Sequence, residues 1–362
     1  MMELTKTKWF RVGTGIVLFL TIIWLIHEVQ FVFTPVVVFF QTLFIPFLLG
    51  GILFYLFRPF IHLLEKIKVP RKLGILILYL IFIGLLTFII SVIAPVVHQQ
   101  FSNLIDNIPE MVDVVEQGIT YWQANQEMLP QYVKDAMDYV STRLEDILMS
   151  TGNYIGSVLG NVVSFIVSLV IVPFILFYLL SDQEKFVHNV TRHFSKSQSH
   201  QIREVLGDMD KAIASYIQGQ LIVSSFVGIV LFIGYLIIGL DYSLLLALFG
   251  MVTNVIPFLG PFLAAIPAVI AGWFQDPIMS LYVIIVMVVA QQAESNLISP
   301  VVMGKSLNVH PLTIILLVLV GGNLAGVLGM ILIIPAYAVG KVIVQHIYRL
   351  WNIHKQTKAE KA

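Results

Sequence analysis

Cysteine is absent from the 362-residue chain, which excludes disulfides, thiolate metal sites and thiol catalysis. Charge is scarce: Asp, Glu, Lys and Arg make up 12% of the residues and 58% are hydrophobic. A soluble domain carries about a quarter charged residues, so this composition, with a mean hydropathy of +0.91, is that of a polytopic membrane protein. The formal net charge is +0 and the basic residues are scattered, which excludes a basic-patch nucleic-acid binder. No GxxxxGK[ST] phosphate loop occurs, so this chain alone does not run on ATP. There is no HExxH, and His188, His193 and His200 lack the spacing of a metal site. Neither an enzyme, nor a metal, nor another cofactor is expected. The first apolar run has no small-x-small cleavage site and is read as a retained helix. Met1-Met2 lacks the glycine that myristoylation needs.

What is present is an all-α pattern of about eight membrane segments. The spans are Gly13–Ile26, Phe31–Phe57 with Pro46 and Gly50-Gly51, and Gly74–Val97. Arg58, Lys66, Lys68, Arg71 and Lys72 crowd the loop between the second and third, which places that loop in the cytoplasm. Residues 98–152 form a long polar insert on the opposite side, with an amphipathic helix ending near Ile108 and a new start at Asn107 and Pro109. The fourth span, with Gly152, Gly156 and Gly160 as a packing stripe, and a cytoplasmic loop fill 153–212. A transport core occupies 213–345 and a cytoplasmic tail 346–362, after the three N-terminal helices of 1–97. N- and C-termini are both expected in the cytoplasm.

The core holds the unusual stretch, from Gly250 to Gly322. One apolar segment, Ser243–Phe274, is interrupted at Pro257, Gly260 and Pro261. A second begins at Pro311, is too short to cross before Gly321, Gly322 and Asn323, and returns through Ile334. Charge counting makes both of them hairpin-like elements entering from opposite faces, although pairs of thin full crossings satisfy the same loop charges. Broken helices around a polar span are the pattern of secondary transporters. Irregular backbone at membrane depth is tolerated only where protein or a water-filled cavity satisfies it.

Between the broken segments, the span Ile278–Leu297 carries Glu294 with Gln291, Gln292, Ser295 and Asn296 around it. An ionised carboxylate at the membrane centre costs on the order of 2.5–3.5 kcal/mol on insertion scales, so it normally faces a partner or a pathway. Glu294 can carry a proton, bind a cation or hydrogen-bond a polar solute. It also lies near one end of its span, within reach of interfacial water. Asn254, before the first break, and Asn323, after the second, are further polar candidates. His310 ahead of Pro311 reads as a helix cap.

The runs IPFLGPFLAAIPAVI (Ile256–Ile270) and SNLISPVVMGKSLNVHPLTIILLVLVGG (Ser295–Gly322) resemble the autoinducer-2 exporter family of bacterial transporters. The spacing of Pro300, Gly304, His310, Pro311 and Gly321 carries most of that resemblance, which extends over nearly the whole chain. Arg58 departs from it, standing where a small polar residue is expected. The resemblance implies a homo-oligomeric transporter of the bacterial cytoplasmic membrane. It would export a small polar signal or metabolite on an ion gradient, or exchange sodium for protons. The partners so implied are the lipid bilayer, a small polar solute and H+ or Na+. A membrane scaffold that moves nothing is the competing class.

Overall fold

The structure is a computed structural model that describes residues 8–124, 170–183, 185, 187–302 and 309–359. The second half of the expected insert, the Gly152–Gly156–Gly160 stripe and Gly304 lie outside the described residues. Among those residues there is no strand. Five helices are long and apolar enough to cross a membrane, and shorter apolar helices accompany them. The protein is an all-α polytopic membrane protein.

The chain divides into two compact units. The first comprises α1 (Lys8–Glu28), the start of α2 (Gln30–Lys66) and most of α4 (Val170–Gln183). Within it Gly50 supplies a point of close approach, since a Cβ there would lie 2.8 Å from Ile175 Cγ2.

The second unit holds the end of α2, α3 (Arg71–Ala124) and the whole C-terminal half. The expected cytoplasmic loop is far tighter than its charges suggested, because α2 runs on to Lys66 and α3 starts at Arg71. Arg58 sits inside α2 and pairs with Asp210 at 2.6 Å, where Tyr55 also donates to that carboxylate at 3.2 Å. Pro59 lacks the N–H that would bond the Tyr55 carbonyl four residues back, and Gln218 Nε2 donates to that carbonyl instead, at 2.7 Å. The helix start expected at Asn107–Pro109 does not occur. At 54 residues, about 80 Å by helical rise, α3 passes through Pro109 without a break. Asn107 donates instead to the Tyr242 hydroxyl at 2.8 Å.

The C-terminal half is α5 (Lys196–Ile238), α6 (Ser243–Thr253), α7 (Leu259–Gln275), α8 (Pro277–Ala293), one π-helical turn at Glu294–Ile298, α9 (Ser299–Val302) and α10 (Pro311–Ala359). A capping box at Ser195 and Gln198 starts α5, and left-handed Gly239 ends it. Asp276 caps α8, with Pro277 in its first turn. Buried Val227, Leu231, Tyr235, Ala268, Val283 and Ala290 form the core among α5, α7 and α8.

Both broken segments turn back. Eleven residues give α6 a length of about 16 Å, against a hydrocarbon core of about 30 Å, so α6 cannot cross it alone. The first break spans Asn254–Phe258, with Phe258 at φ 63°. Gly260 and Pro261 therefore fall within the first turn of α7 rather than at the tip. Gly260 is required there, because a Cβ would run into the Thr253 carbonyl at the end of α6.

The second reversal is not at Gly321–Asn323. Those residues are helical, and Asn323 donates back to the Leu319 carbonyl at 3.0 Å. The chain reverses three residues later, where Ala325 (φ −147°, ψ 26°) and Gly326 (φ 59°, ψ −141°) leave helical geometry inside α10. Gly326 takes the left-handed φ that glycine tolerates without cost. Gly321 instead lies where the two arms meet, against Gly329. A Cβ on Gly329 collides with the Gly321 carbonyl, so Gly329→Val is expected to lower stability by about 2 kcal/mol. Gly340→Ala, in open space, should leave the thermal unfolding midpoint in detergent unchanged.

Candidate functional site

The first hairpin tip lies in the second unit, between α5, α8 and the base of the α10 hairpin. Ile256 of the tip packs with Tyr216, Val318 and Ile334, all buried. The tip's irregular backbone is held by a side chain: Gln220 Nε2 donates to the Asn254 carbonyl at 2.7 Å, in a buried setting. This meets the requirement that non-helical backbone at membrane depth be satisfied by protein.

A cavity of about 740 Å³ opens beside the tip. Its α5 wall runs from Tyr216 through Gln220, Val223 and Val227 to Leu231, a distance of about 22 Å along the helix. Its α8 wall runs the opposite way, from Ile284 through Met287 and Val288 to Gln291 and Glu294. The polar residues of both helices therefore gather at one end, with Asn254, and apolar residues line the remainder. A largely apolar cavity with a few convergent polar groups is the usual form of a small-molecule site.

Glu294 stands at that polar end, half-buried, and accepts from Gln291 Nε2 at 2.7 Å. The π-helical turn begins at Glu294. Such turns recur at functional sites because the extra residue re-aims side chains. Two other polar groups are more deeply enclosed. The Asn254 side chain, 3% exposed, is turned to the Glu294 carboxylate as a hydrogen-bond partner, and the Tyr216 hydroxyl, on a residue 5% exposed, has no partner.

Of the expected site residues, Asn254, Pro257, Pro261, Gln291 and Glu294 line this one cavity. Gly260 is buried against the end of α6 and shapes the tip without lining the cavity. Asn296 is exposed and donates to Gln292 at 2.9 Å. Gly321, Gly322 and Asn323 lie in the α10 hairpin and do not line it. Pro300 is exposed in α9. His310 caps α10, its Nδ1 accepting the Leu312 N–H at 3.3 Å ahead of Pro311. Sequence reasoning missed Tyr216 and Gln220. The signal for them was the run SYIQGQ (Ser215–Gln220), polar residues inside an otherwise apolar span.

The profile described as AI-2E family transporter matches residues 15–349. The chain belongs to the AI-2E family of transporters. Among its relatives is a Bacillus subtilis (strain 168) protein named "Putative transport protein YueF", 40% identical over 94% of this chain and 94% of its own length. Another from the same organism, "Putative transport protein YrrI", is 32% identical over 87% of this chain and 89% of its own. "Putative permease PerM" of Escherichia coli (strain K12) is 28% identical over 85% and 88%. These names fit a membrane transporter and carry no substrate.

A further polar cluster lies outside the cavity. Glu204, Asp208 and His346 bring candidate ligand atoms within 4.8 Å of one another. Arg349 pairs with Glu204 at 3.1 Å and Lys211 with Asp208 at 3.5 Å, while His346 lies 3.4 Å from Asp208. Cations already partner both carboxylates, so the cluster is an ion-pair network tying the start of α5 to the end of α10.

The native chain has no cysteine, which permits a direct test of the cavity. Ala265 lines it, and Ala268, one turn on, is 0% exposed. Ala265→Cys should react with a small methanethiosulfonate reagent on the order of tenfold faster than Ala268→Cys, measured on the folded protein in detergent.

Proposed function

We propose that this protein is a secondary-active transporter of the bacterial cytoplasmic membrane that exports a small signal or metabolite on the proton gradient. Residues 213–345 form the transport core. Glu294 carries the coupling proton, and Asn254, Gln291 and Tyr216 hold the solute. The observation that supports this most is the placement of Glu294, with Gln291 bonded to it, in a cavity beside a broken-helix tip. A carboxylate in such a place is normally part of a proton or substrate path, and a discontinuous helix normally builds the site. The basic residues Lys6, Lys8 and Arg11 at one end and Lys355, Lys358 and Lys361 at the other support cytoplasmic termini.

Cation–proton antiport is the second reading, and it is favoured by Glu294 being the carboxylate that lines the cavity. Against it, hard cations are held in cages of oxygen ligands, whereas Asn254 Nδ2 presents N–H donors. The two readings part in proteoliposomes. Glu294→Gln should lower gradient-driven solute accumulation by about tenfold or more while solute exchange without a gradient persists. Accumulation undiminished in Glu294→Gln would exclude the proton role. Sodium-driven proton flux in the absence of any solute would favour the antiporter.

A further inference from the structure

The cavity's unsatisfied groups specify what could fill it, on the reading above that the cavity is the solute site. The Tyr216 hydroxyl is enclosed and unpartnered, and the enclosed Asn254 side chain turns to the Glu294 carboxylate. Buried polar groups left without partners are rare and costly, so each unexplained one points to something that completes it. The phenol can donate, and so calls for an acceptor oxygen. Glu294 receives hydrogen bonds from Gln291, on Oε2, and from Asn254, and a carboxylate has about four acceptor positions. It therefore has capacity for a donor from the solute. An anionic head would meet the Glu294 carboxylate. A quaternary cation would leave Tyr216 empty.

The other end of the cavity answers to a different kind of chemistry. Val227 and Leu231 from α5, Ile284 and Val288 from α8, and Phe262 from α7 form its walls. A solute made only of polar groups would leave this length without complementary contacts.

We infer that the solute is a small neutral amphiphile. Its head carries an acceptor oxygen beside an N–H or O–H donor, as in a carboxamide or a hydroxyketone, and its body is apolar. The head lies between Tyr216, Asn254 and Glu294, and the body extends along α5 toward Leu231.

The test is equilibrium binding of radiolabelled octanamide and acetamide to the full-length protein in nanodiscs, with empty nanodiscs subtracted. Octanamide should bind saturably, and about tenfold more weakly to Tyr216→Phe and to Asn254→Leu. Acetamide, which has the same head and no tail, should bind at least about a hundredfold more weakly than octanamide. Octyltrimethylammonium, with the tail but no acceptor, should not distinguish wild type from Tyr216→Phe. Size-exclusion profiles identify any variant that fails to fold, and the acetamide comparison on the wild type needs no variant. Acetamide binding as tightly as octanamide, octanamide showing no saturable binding, or folded variants binding it as the wild type does would each overturn the inference. Head-dependent octanamide binding without gradient-driven flux would sink the transport reading and leave the ligand class standing. Flux that depends on Glu294 without octanamide binding would do the reverse.

Discussion

The hydrogen bond from Gln220 to the Asn254 carbonyl is the contact on which the core depends. A chain that leaves helical geometry inside a bilayer exposes carbonyls and amides with no water to take them. At Asn254–Phe258 the protein supplies the partner itself, from a buried side chain on the neighbouring span. That bond fixes the tip beside α5. Gly260 lets the start of α7 close against the end of α6. With the tip fixed, Asn254 is brought to the polar end of the cavity, where Glu294 stands. The same logic operates at Tyr55, whose carbonyl Pro59 cannot bond and Gln218 does. In both places a glutamine of α5 completes backbone that proline or a turn has left open, so α5 is the element that makes the irregular segments tolerable.

Much of this was legible in the sequence, for reasons that can be named. Composition alone demanded membrane helices, because so few charges cannot solvate a chain of this length. The first break was legible because Pro257 acts through local sterics. Glu294 was legible because an intramembrane carboxylate is expensive wherever it points.

The rest depended on tertiary contacts. Gly321-Gly322-Asn323 looked like a turn, but the turn is at Ala325–Gly326, and the glycines serve the crossing of two arms. A glycine chosen for close approach and a glycine chosen for positive φ are the same letter. Pro109 looked like a helix start, yet α3 continues through it. Charge counting could not separate hairpins from thin crossings, whereas the length of α6 does. Tyr216 and Gln220 were visible as polar letters in a span, but nothing local says that Gln220 completes a distant turn and that the Tyr216 hydroxyl is buried without a partner.

The central claim is that the tip held by Gln220 belongs to the transport path and is not scaffold alone. Amide hydrogen exchange across residues 254–260, measured together with gradient-driven flux for wild type and Gln220→Leu in the same proteoliposomes, tests it most directly. The account predicts that exchange at the tip rises and flux falls together, while exchange in the core around Val283 stays slow. Faster exchange at the tip with undiminished flux would contradict it.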